Sequence, residues 1–208
     1  MRGLIEKLKA FNRRERFFVV GWALDNPAFR IGDNFRQQIA ADTGIDIPAD
    51  AFCAMDFPMD WIVGCLWVTK EERASYSVLE TGEVNRNNED VDLLVAYEED
   101  GMTNLLMIEA KGVTGWKNRQ LRHKAERLGR IFGTGHPPNL WPAVRPRFVL
   151  ASPEKSAQID VTEWPGWMKR DGEPRWWLRL ELPPELRKIV RCDEDGRKNA
   201  EGQFWKVV

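Results

Sequence analysis

The apolar positions of this chain change their spacing several times, and each change marks a predicted element. Two short unbroken apolar runs, Leu93-Leu94-Val95-Ala96 and Leu105-Leu106-Met107-Ile108, flank the polar stretch Glu98-Glu99-Asp100-Gly101. Runs of that length predict strands covered on both faces. Further on, Leu121, Ala125, Leu128 and Phe132 recur at helical spacing and predict a packed stripe, with Gln120, Lys124 and Arg127 lining up beside it. Earlier, Phe35 and Ile39 stand one turn apart between Asp33-Asn34 and the stop signal Thr43-Gly44. Arg13-Arg14-Glu15-Arg16 before Phe17-Phe18-Val19-Val20 predicts another helix, and residues 59–68 a buried one leading into the sheet. The first seventy residues therefore read as helical, punctuated by Pro48 and Pro58. A first strand is expected over 75–80 and a fourth over 146–152, with Gly133 to Pro138 between helix and strand as a turn. Leu178, Leu180 and Leu182 alternate with Arg179 and Glu181 as in a half-buried strand, and the ending RCDEDGRKNAEGQFWKVV reads as a hairpin, closing the sheet or forming a small accessory one.

Asp100-Gly101 predicts how the two central strands pair. The favoured two-residue hairpin turn needs φ > 0 at both central positions, which Asp-Gly accepts. Counting outward from it matches Glu99 with Met102, Tyr97 with Asn104, Leu94 with Met107 and Asp92 with Glu109. Glu109 and Lys111, two apart, share a face. Opposed carboxylates with Cβ atoms about 4.5–5.5 Å apart repel unless one is protonated or a cation lies between them. A hard divalent ion such as Mg²⁺ suits that place. A three-residue loop with a bulge would shift Asp92 off Glu109 by one position.

These residues resemble the core of the PD-(D/E)xK nuclease superfamily: Asp92 heading one apolar run, and a second run leading into Glu109-Ala110-Lys111. The likeness covers roughly positions 80 to 130. It implies an α/β fold with a mixed central β-sheet flanked by helices, in the order α-β-β-β-α-β of the restriction-endonuclease-like core. It implies that Asp92, Glu109 and the carbonyl of Ala110 hold Mg²⁺ or Mn²⁺, and that Lys111 positions or activates the attacking water. Gln120, on the helix after the lysine strand, stands where some members carry a glutamine. Val91 replaces the proline of the family's name, and the acid of the preceding helix has three unranked candidates, Asp60, Glu71 and Glu80.

Composition changes this picture little. At 208 residues, 43% hydrophobic and 30% charged, the chain reads as one soluble domain: a helical part to residue 70, a core over 75–152 and a Trp-rich extension with β structure over 153–208. No apolar run approaches the ~20 residues of a membrane span, and the amphipathic start MRGLIEKLKAF lacks a signal peptide's apolar centre, so the expected location is cytoplasmic. Three cysteines and two histidines are too scattered for a disulfide framework or a zinc site.

Charge changes more. The net charge is −1, yet acids dominate from Glu80 to Asp100 and bases from Lys111 to Arg130, among them Lys117, Arg119, Lys124 and Arg127. An acidic pocket beside a basic helix suits a metal next to a phosphate backbone; a basic helix is also often just a solvated face. Trp164, Trp167, Trp176 and Trp177 cluster after the fourth strand, where core packing is the commoner use of Trp and stacking on unpaired bases the other.

The expectation is thus a metal-dependent endonuclease or exonuclease with DNA as the favoured partner. A homodimer would fit, since cutting both strands calls for two sites. The rivals are a nucleic-acid-binding module that does not cut and a protein-interaction module whose Asp, Glu and Lys form a structural ion pair.

Overall fold

The structure is a computed structural model and describes residues 3–70, 84, 89–112 and 115–208. Three helices, α1 (Leu4–Phe11), α2 (Glu15–Ala23) and α3 (Asp33–Thr43), lead into strand β1 (Phe52–Pro58) and helix α4 (Met59–Lys70). Strands β2 (Asp90–Glu99) and β3 (Met102–Ala110) form the hairpin, α5 (Asn118–Phe132) crosses over, and β4 (Val144–Ser152) returns to the sheet. A 3₁₀ turn (Gly166–Met168), the two-residue strands β5 (Lys169–Arg170) and β6 (Glu173–Pro174), β7 (Trp176–Arg179), β8 (Ile189–Cys192) and β9 (Phe204–Val207) follow.

The chain is α/β, with a mixed five-stranded sheet in the order β1-β2-β3-β4-β7. The first three strands are antiparallel and the last two pairs parallel. Connectivity follows from chain length: a two-residue turn closes β2 onto β3, whereas β3 reaches β4 in parallel only through a crossover, which α5 supplies. One sheet face carries α1, α4 and α5, with Leu94, Leu105, Met107, Phe148 and Leu150 in its core. The other face packs Val95, Leu106, Ile108 and Val149 against Ile39 of α3 and the segment holding Ile45 and Ile47.

The hairpin closes as its sequence predicts. Asp100 and Gly101 have φ of 52° and 73°, and Glu99, Tyr97 and Leu94 pair with Met102, Asn104 and Met107. There is no bulge at the turn. Thr43-Gly44 ends α3 with Gly44 in the left-handed region at φ 70°. The 59–68 helix is α4, with Met59, Ile62, Val63, Cys65 and Leu66 buried. The terminal hairpin is β8–β9, an accessory sheet of two strands.

One expectation needs correcting. The first seventy residues are not all helical, because Phe52–Pro58 is a strand on the outer edge of β2. Cross-strand pairing with β2 decides it, from Phe52 with Ala96 to Pro58 with Asp90. Pro58 sits where the ladder ends, so its missing N–H costs nothing there. The strand expected over 75–80 lies outside the described residues, and β1 precedes α4 where the α-β-β-β-α-β order would put a strand after it.

Midway, β1 and β2 both lose their alternation. Pairing passes from Met55–Leu93 to Phe57–Val91 without joining Asp56 to Asp92, and Asp56 has φ 50°. Ala54 and Phe57, three apart, share one core, as do Leu94 and Val91. Regular strands would put such residues on opposite faces. The irregularity falls beside the predicted site.

Candidate functional site

Glu109 is the second-last residue of β3 and is only 2% exposed. It lies on the helix-covered face, two and four residues after Met107 and Leu105. Asp92 follows next along the β2–β3 ladder, whose last joined pair is Leu93–Ile108. Its Oδ2 accepts a 2.6 Å hydrogen bond from the N–H of Ala110, so the carboxylate is fastened across the hairpin end. Lys111, just beyond the strand, donates its backbone N–H to the carbonyl of Ala151 at 2.8 Å, and its Nζ stands 3.7 Å from Glu109 Oε1.

The other Glu109 oxygen, Oε2, meets Lys124 of α5. Lys124 is 5% exposed and its Nζ also donates to the carbonyl of Asp90 at 2.7 Å. Burial pushes the Glu109 carboxyl above the ordinary glutamate range; Lys124 and Lys111 pull it down, and the neighbouring Asp92 charge pushes it up. Asp92 and Glu109 against Lys111 and Lys124 give a cluster of zero net charge. This is how the structure accommodates two adjacent acids near the core.

One turn along α5, Arg127 is also buried, meeting Asp60 of α4 and, at 3.4 Å, Glu89 before β2. Behind the cluster, Arg14 at the start of α2 donates to the carbonyl of Asp56 at 2.7 Å and to the carboxylate of Asp90 at 3.0 Å, while Arg16 pairs with Asp56 at 2.9 Å. The kink in β1 is thus pinned from outside.

The structure brings Asp92, Glu109, Ala110 and Lys111 together. Gln120 is exposed on the first turn of α5, as are Lys117 and Arg119 at that helix's start. Lys124 and Arg127, read from sequence as phosphate contacts, point inward into ion pairs. A signal for this exists in the sequence, because Lys124 is three after Leu121 and four before Leu128, within the buried arc. Of the candidate third acids, Asp60 is engaged with Arg127, and Glu71 and Glu80 lie outside the described residues. The role of Asp90 and Arg14 had no local signal.

Among the described residues, no three His, Cys, Asp or Glu side chains converge as a metal site. Two carboxylates and a backbone carbonyl still match what Mg²⁺ asks of a protein, since it keeps several waters and takes one or two carboxylates. Asp92, Glu109 and Ala110 fit that donor set, with the Lys124 ammonium as the cation now held against it. Among the described residues no helix is long and apolar enough to cross a membrane. No family model, curated protein or solved structure matches the chain.

Proposed function

We propose that the chain is a metal-dependent nuclease of the PD-(D/E)xK kind, hydrolysing phosphodiester bonds, with DNA the favoured substrate. The observation that carries this reading is Glu109, a buried carboxylate at a strand end, beside Asp92 and touched by two ammonium groups. A hairpin, a crossover helix and a parallel strand in sequence support the likeness to the restriction-endonuclease-like core.

In this reading Asp92, Glu109 and the carbonyl of Ala110 hold Mg²⁺ or Mn²⁺, which supplies a bound water of lowered pKa and shields charge on the phosphate. Lys111, partly exposed beyond the strand, orients the attacking water and offsets charge developing on the phosphoryl oxygens. A divalent ion there would compete with Lys124 for Glu109 Oε2, and the Lys124 ammonium has a second partner in the Asp90 carbonyl. Gln120, Lys117 and Arg119, exposed at the start of α5, are left to contact substrate.

The test is cleavage of plasmid and oligonucleotide DNA with Mg²⁺ or Mn²⁺ by wild type, Glu109→Gln and Lys111→Ala. Loss of roughly 10²-fold or more in both variants is expected; cleavage at the wild-type rate by both would sink the reading. One observation favours a second reading, a non-cleaving binding or interaction module: the cluster is already neutral, with each Glu109 oxygen facing a lysine. Calorimetric titration with Mn²⁺ separates the two, because only the nuclease reading expects binding that Asp92→Ala abolishes.

A further inference from the structure

Pairing across the sheet sets three side chains in a row on the helix-covered face. Glu109 pairs with Leu150 of β4, and Leu150 with Trp177 of β7, and Asp92 lies beside Glu109 just past the end of the β2–β3 ladder. At about 4.8 Å per strand, Trp177 stands roughly 10 Å from Glu109. Between β4, β7 and residues 153–159 lies a cavity of about 330 Å³, walled by Leu150, Ile159, Pro174 and Trp177, with Lys155 and Glu173 at its rim. That volume is at the lower end of the roughly 300–1,000 Å³ of small-ligand sites.

A shallow groove sharing Lys155, Ser156 and Ala157 with the cavity continues past Trp116 and Ser152 to Gly112, the residue after Lys111. The two indoles bordering this path are fixed by one hydroxyl. Trp177 Nε1 donates to Ser152 Oγ at 3.0 Å and Trp116 Nε1 to the same atom at 3.4 Å. Their polar edges are committed and both rings pack partly against the core, so only the ring surface turned to the path is open to stacking. Trp177 already carries the Lys155 ammonium over its ring, 5.5 Å from the centroid.

We infer that this cavity takes an unpaired nucleobase of the strand whose phosphate lies at Asp92, Glu109 and Lys111, which makes nucleic acid with unpaired nucleotides the substrate class. The inference rests on the nuclease reading for the phosphate's position. An aromatic face, an exposed cation and an apolar wall form the combination that binds single-stranded nucleic acid. The spacing suits a base next to the scissile phosphate, and a groove joins the two places. The base stacks on Trp177 where Lys155 now lies, Lys155 turns to a backbone phosphate, and Glu173 accepts from an exocyclic amino group. Bases in an intact duplex cannot enter.

The experiment measures anisotropy of a fluorescein-labelled single-stranded 12-mer (about one OB-fold site size) and of the same sequence as a blunt duplex, in EDTA at fixed salt. Wild type, Trp177→Leu and Ala157→Trp are compared, the last filling the cavity from its exposed rim. Wild type is expected to bind the single strand roughly tenfold tighter than the duplex, and each variant to lose about that factor for the single strand alone. Equal wild-type affinities for both, no binding at all, or an unaltered single-strand affinity in Ala157→Trp would overturn the inference. If Trp177→Leu does not fold, Ala157→Trp decides. Because binding is read without metal, cleavage of duplex by a protein with no single-strand preference fails the inference and keeps the nuclease reading. Single-strand binding without cleavage does the reverse.

Discussion

Lys124 and Arg127 stand one turn apart on α5, both buried, and their surroundings differ in charge and in access to water. Among the described residues Arg127 meets two acids, Asp60 and Glu89, whose side chains remain 27% and 28% exposed. Lys124 shares one nearly inaccessible acid, Glu109, with a second lysine. Arg127 ties α5 to α4 and to the head of β2 with a planar guanidinium that stays charged throughout. Lys124 ties α5 to the sheet with a compact ammonium on a flexible stem. The comparison separates a permanent fastening from an exchangeable one: partners at Arg127 can hydrate when it is lost, whereas buried Glu109 must find another cation or take up a proton.

Four measurements test that contrast. The largest effect is expected for Lys124→Met, which should cost about 3–5 kcal/mol in urea denaturation at neutral pH, as for other broken buried pairs. Millimolar Mn²⁺, or Glu109→Gln in the same chain, should restore most of it; a loss that neither restores would show that Lys124 is as permanent as Arg127. Arg127→Met should cost less, about 2–3 kcal/mol, because its partners reach water, and Mn²⁺ should not recover it. Third is the pH dependence of Glu109. Its folded-state carboxyl titrates above the unfolded value of about 4.3, so folding takes up a proton between those two values, and stability falls as pH rises through that interval. Glu109→Gln should lack this slope, and denaturation of both proteins at several pH values compares them. Smallest is Lys111→Ala, which should change stability by under about 1 kcal/mol, since its partner is 3.7 Å away and the ammonium partly solvated. A stability loss as large as that of Lys124→Met would remove the distinction between the two lysines.

The hairpin and α5 were legible because their signals are local. Asp100-Gly101 fixes a turn type, the turn fixes the register, and the register carries Asp92 to the hairpin end, where it meets Ala110 beside Glu109. Leu121, Ala125 and Leu128 declare the buried face of α5 by spacing alone. Strand β1 was not legible, since Phe52-Cys53-Ala54-Met55-Asp56-Phe57-Pro58 contains no β-branched residue and its alternation fails at Asp56. Pairing with a strand nearly forty residues away makes it a strand. Lys124 is the intermediate case. Its place within the buried arc can be counted, but a lysine there makes sense only once Glu109 is known to face it, and spacing along one helix carries no information about the sheet beneath. Gln120 failed to join the cluster for a related reason, because the helix's approach to the sheet decides which turn meets Glu109.

The bond from the Ala110 N–H to Asp92 Oδ2 also biases denticity. With one lone pair of Oδ2 engaged by the backbone, Oδ1 is the freer oxygen of Asp92, and a chelating cation would have to share Oδ2 with the hairpin end. Glu109 keeps one oxygen toward Lys111. On the proposed metal reading, two carboxylates that each lean to one oxygen would suit a small octahedral ion that brings its own waters better than a larger one, such as Ca²⁺, that gathers six to eight oxygens and welcomes bidentate carboxylates.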